Sequence, residues 1–96
     1  MNTKFYILAR MREGVFGEEL IDEIVRIQTK PFIDTEIYEL IKDNYVNEGE
    51  DEYIQKYVQS DGGVIWFIRS RQDDFTPGYD DWYEASSAFW VVEHNQ

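Results

Sequence analysis

The run Val64-Ile65-Trp66-Phe67-Ile68 constrains the fold more than any other feature of this chain. Its residues are all β-branched or aromatic, the types that suit a pleated, packed strand. Successive side chains of a strand point to opposite faces, so an unbroken apolar run needs cover on both sides. Val64 to Ser70 is therefore predicted as a strand central to a sheet. A chain of 96 residues has material for one hydrophobic core and not two. Everything else must be arranged around this strand as a single domain spanning residues 1–96.

Two more segments read as strands. Lys4 to Met11 carries Phe5, Tyr6, Ile7 and Leu8, and Ala88 to Glu93 carries Phe89, Trp90, Val91 and Val92. Arg10 to Gly14 is polar and reads as a turn, and His94-Asn95-Gln96 as a frayed tail. Gly17 to Thr29 has the spacing of a helix: Leu20, Ile21, Ile24, Val25 and Ile27 recur on one broad face, and Pro31 follows as a stop. Asp34 to Val46 reads as a second helix. Asp34 is its expected cap, Ile33 and Tyr38 are spaced as a hydrophobic staple, and Ile37, Leu40, Ile41 and Tyr45 share a face. Tyr53 to Gln59 fits either a short third helix or a strand before the hairpin signal Asp61-Gly62; the acids Asp51 and Glu52 tilt the reading to helix. Residues 72–86 form a long connection with a turn at Pro77-Gly78. The expected architecture is α+β: a three-stranded antiparallel sheet with two helices on one face, or three, in the order β-α-α-(α)-β-β.

Charge sets the class of partner. The net charge is −11, and it is unevenly placed. Residues 1–33 hold five acids and five bases, whereas Asp34 to Glu84 hold 14 acids against four bases, a net of −10. Such a field repels nucleic acid and anionic membranes and attracts basic surfaces. Arg10, Arg12, Arg69 and Arg71 could form a local basic patch, the single opening for direct nucleic-acid contact.

Known chemistries find little footing. The absence of Cys removes disulfides, thiolate metal sites and a Cys nucleophile. His94 is the only His, so a His-based metal centre cannot be built. Glu48, Glu50 and Glu52 alternate around Gly49 without the ligand spacing of a calcium loop. No phosphate-cradling glycine loop, catalytic triad or zinc motif is present. The expectation is a protein that is not an enzyme and takes no cofactor or metal. No apolar stretch reaches membrane-spanning length and no leader pattern is visible, so residence in the cytoplasm is expected (the host's, if a phage encodes the chain).

Two segments are candidates for partner binding. On the second predicted helix Glu36, Glu39 and Asp43 form a stripe, continued by Glu48, Glu50, Asp51 and Glu52, with few of the lysines that usually lace such a face. The alternative for any one helix is an ordinary solvated face. The second segment interleaves Asp73, Asp74, Asp80, Asp81 and Glu84 with Phe75, Tyr79, Trp82 and Tyr83, a mixture typical of interface anchors. The competing reading folds Phe75, Trp82 and Tyr83 into the core. In size, acidity and lack of catalytic motifs the chain is similar to phage-encoded anti-restriction and anti-CRISPR proteins and to immunity proteins of nuclease toxins. That likeness covers no motif. It implies an inhibitor or nucleic-acid mimic that occupies the basic surface of a nucleic-acid-binding or nuclease protein. The alternative is a structural or regulatory module that homo-oligomerises, as a dimer for instance, through the aromatics Trp66, Phe67, Phe89 and Trp90.

Overall fold

The computed structural model describes residues 3–47, 49, 51–70 and 87–96. Among them are β1 (Lys4–Glu13), β2 (Glu19–Gln28), α1 (Asp34–Tyr45), β3 (Glu52–Val58), β4 (Val64–Ser70) and β5 (Ser87–Asn95). The strands form one sheet in the order β2-β1-β5-β4-β3, and every neighbouring pair is antiparallel. Sheet and helix coexist, as α+β requires. The expected architecture is nevertheless overturned: the sheet has five strands rather than three, and α1 is the one helix among the described residues.

The apolar run at the heart of the sequence behaves as its pattern demands. β4 lies between β5 and β3, and Ile65 through Arg69 are all buried. Trp66 and Ile68 pack with Leu8, Phe89 and the helix residues Ile37 and Ile41 on the face that α1 covers. Ile65 and Phe67 point the other way and join Ala88 and Trp90 in a second cluster. Each fully buried large side chain stabilises the fold by about 1.5–3 kcal/mol relative to exposure.

The first corrected element is Gly17 to Thr29, expected as a helix and found as β2. The reason lies in two β-bulges. Leu8 pairs with Arg26 but Ala9 with Ile24, so Val25 is an extra residue; Arg10 pairs with Glu23 but Met11 with Ile21, so Asp22 is another. Each bulge stretches the two-residue period of a strand to three. Ile21, Ile24 and Ile27 thereby come to lie beside Met11, Ala9 and Ile7 on one face, at a spacing that imitates a helix. The β-branched composition of the segment was the signal for a strand.

The remaining corrections follow from turns. β1 continues through the expected turn at Arg10 to Gly14, and the chain reverses after it. Gly14 N–H donates to the Glu18 carbonyl at 2.6 Å, and Gly17 takes the left-handed conformation (φ 82°). Tyr53 to Gln59 is not helical: Glu52–Val58 pairs with β4, and the Asp61-Gly62 signal makes the hairpin. Gly62 has φ 91°, and the Asp61 carboxylate accepts the Gly63 N–H at 2.8 Å. The tail is paired rather than frayed, since β5 reaches Asn95 and Gln96 N–H donates to the Thr3 carbonyl at 2.9 Å.

α1 forms nearly where the sequence places it. Ile33 rather than Asp34 is the N-cap residue, and the Glu36 carboxylate accepts its N–H at 3.2 Å. The staple positions accordingly shift by one, to Phe32 and Ile37, both part of the core, while Ile33 and Tyr38 are exposed. Residues 72–86, with the expected turn at Pro77-Gly78, lie outside the described residues.

Candidate functional site

α1 divides the charges of the helix layer. Ile37 and Ile41 are buried against the sheet, and Leu40 and Tyr45 are half-buried beside them. Helical periodicity then turns Glu39 and Asp43 fully outward, with half-buried Glu36 on the flank. None of the ion pairs found among the described residues involves these three carboxylates. Lys42 is the single base on the helix.

The bases elsewhere are largely committed. Arg10 donates a fork to Asp22 Oδ2, at 2.7 Å from its terminal nitrogen and 3.1 Å from Nε, and lies 3.5 Å from Glu23. Arg12 reaches the same Asp22 at 3.9 Å. Lys4 pairs with Glu93 at 2.9 Å, and Lys56 with Asp34. The Glu93 carboxylate, by accepting from Lys4, holds that ammonium above its usual pKa. Arg69 is buried, with its Nε donating to Gln55 and its guanidinium 5.0 Å from the Phe67 ring centroid. The basic patch imagined for Arg10, Arg12 and Arg69 therefore does not assemble, because the first two are held by acids of β2 and the third is in the core; Arg71 lies outside the described residues.

A polar knot ties the end of α1 to the first hairpin. The Tyr45 hydroxyl donates to Glu23 at 2.5 Å, its ring packs edge-on against Phe89 at 5.0 Å, and the Arg10 guanidinium sits 5.4 Å from the ring centroid. Burial, reinforced by the bond to Glu23, pushes the phenol up to about 12.

Beside the start of α1 a cleft of about 270 Å³ opens on the helix-covered side of the sheet. Aromatic walls come from Tyr6, Phe32 and Trp66, and Val91 adds apolar floor. Asp34 and Glu93 bring carboxylates to it. The sequence placed Asp34 at a helix cap and Tyr6 and Trp66 in two separate strands; only the pairing of β1 with β5 and the placement of α1 bring them together.

Of the residues expected to continue the stripe past α1, Asp51 and Glu52 are described. Asp51 is exposed in a left-handed conformation (φ 56°), and the Glu52 carboxylate accepts the Asn47 N–H at 2.8 Å, which commits it to closing the loop. Glu48 and Glu50 lie outside the described residues. So does the whole aromatic-acidic segment: Asp73, Asp74, Phe75, Tyr79, Asp80, Asp81, Trp82, Tyr83 and Glu84. Of the expected aromatic contacts for self-association, Trp66 and Phe89 are in the core under α1, and Phe67 is buried on the opposite face with Trp90 half-buried beside it. Exposed apolar surface lies instead along β2, where Ile21, Ile24 and Ile27 are each about half exposed, and at the first hairpin's tip, where Val15 and Phe16 are almost wholly so.

In comparisons with known proteins, no family model, curated protein or solved structure matches the chain.

Proposed function

We propose that this chain is a non-enzymatic binding protein whose outward face of α1 docks on the basic surface of a nucleic-acid-handling protein, excluding the nucleic acid that surface serves. One observation carries the reading. Glu36, Glu39 and Asp43 stand together outside the ion pairs of the described residues, while Lys4, Arg10, Arg12 and Lys56 are taken up by acids elsewhere. A rigid helix bearing carboxylates on successive turns presents negative charge at intervals a cationic groove can meet. Its field steers association and repels nucleic acid and anionic lipid from the same face.

The test is displacement. A labelled oligonucleotide bound to a basic nucleic-acid-binding protein of the source cell should be released as this protein is added at low salt. The Glu36→Gln, Glu39→Gln, Asp43→Asn variant should release it only at about a hundredfold higher concentration, since desolvated charge pairs across an interface are each worth about 1 kcal/mol or more. Equal potency of the variant would overturn the reading.

A second reading is favoured by the row Ile21, Ile24 and Ile27, which is larger than an isolated exposed apolar residue and lies on the sheet face away from α1. On this reading that face packs against a second copy. Light scattering coupled to size exclusion gives twice the chain mass if this holds, and Ile24→Lys returns the monomer; a monomeric wild-type protein at high concentration excludes it.

A further inference from the structure

We infer that the cleft between the start of α1 and the strands β1, β4 and β5 is a receptor for an arginine side chain of the partner, an inference that rests on the binding reading above and gives it a specific anchor. The chain's own lysines show what the walls accept. Lys56 Nζ lies 5.8 Å from the Trp66 ring centroid and pairs with Asp34; Lys4 Nζ lies 5.5 Å from the Tyr6 ring centroid and 2.9 Å from Glu93. Each cleft carboxylate thus works with one aromatic ring to hold an ammonium group, and both rings and both acids line the same cleft. A cation within about 6 Å of a ring centroid is attracted by the ring's quadrupole.

These internal pairs are weak holders. Both lysines and both carboxylates are substantially exposed, and exposed pairs contribute about 0–1 kcal/mol. An incoming guanidinium can replace either ammonium, which then returns to water. Arginine suits the place better than lysine: its planar head stacks on rings, forks onto a carboxylate and is more weakly hydrated. Its aliphatic stem has Phe32 and Val91 to cover. The cleft is large enough for that side chain together with several waters at ~30 Å³ each. With Lys4 and Lys56 in place the cleft is close to neutral, so the two lysines compete with the partner's cation.

The probe is a tetra-arginine peptide, with tetra-citrulline as its neutral match, followed by nuclear magnetic resonance. Tetra-arginine should shift the Trp66 indole and the Tyr6 and Phe32 ring signals, and tetra-citrulline should not. Asp34→Asn with Glu93→Gln should weaken the dissociation constant about tenfold, while Lys4→Met with Lys56→Met should tighten it about threefold, in the range of exposed ion-pair and cation–π energies. Shifts confined to α1 around Glu39 and Asp43 would sink the cleft and leave the binding reading standing. No shift at either place would sink both. Equal shifts with tetra-citrulline would show that the cleft does not select a cation.

Discussion

Tyr45 shows how one side chain can join chain segments that the sequence keeps apart. Its ring completes the core beside Phe89 and its hydroxyl donates to Glu23 on β2. Replacing it with Phe keeps the ring and deletes the bond, which should lower stability by about 1 kcal/mol in chemical denaturation. The same residue gives the fold an alkaline limit. Its proton is held to about 12 in the folded protein against an ordinary value near 10. The folded state therefore binds that proton more tightly, so its contribution is complete below pH 10 and is lost as pH rises from 10 through 12. Stability measured from pH 9 to 12 should fall for the native sequence and fall less for Tyr45→Phe; parallel curves would show that the Tyr45 proton does not set this limit. Ile41, fully buried where α1 meets the sheet, should cost about 2–5 kcal/mol when cut to Ala.

At the scale of elements, turns and bulges decide what patterns alone do not. Gly62 holds a left-handed conformation with open space where a side chain would stand. Gly62→Ala should therefore destabilise by about 1–2 kcal/mol through backbone strain alone. A loss well below that would mean the β3–β4 turn relaxes into another geometry. β4 and α1 were legible in the sequence because their apolar patterns are unbroken and match one period each. β2 was not, because its bulged residues Asp22 and Val25 shift the pattern from period two to three, and the bulges show only in its register against β1. β3 was misread because the acids at Asp51 and Glu52 suit a helix start, whereas Glu52 closes the preceding loop instead. Of the candidate site, the stripe on α1 was readable as three carboxylates at helical intervals. The cleft was not, since Tyr6, Asp34, Trp66 and Glu93 meet only after the sheet closes β1 onto β5 and β5 onto β4.

At the scale of the whole molecule, the described residues form a two-faced sheet with α1 on one side and charges sorted between the two. Ion pairs gather along the sheet, and α1 turns Glu39 and Asp43 outward. Neutralising Glu39 and Asp43, which point fully outward, should leave folding almost untouched, within about 0.5 kcal/mol, and Glu36→Gln keeps a side-chain oxygen to accept the Ile33 N–H that caps the helix. Any effect on association is then an effect of charge. The most direct measurement is the dissociation constant for a basic nucleic-acid-binding partner across a salt series, for the native chain and for Glu36→Gln, Glu39→Gln, Asp43→Asn. The account predicts affinity that falls steeply with salt for the native chain and a weaker, flatter dependence for the variant. Two superimposed curves, or native affinity indifferent to salt, would contradict it.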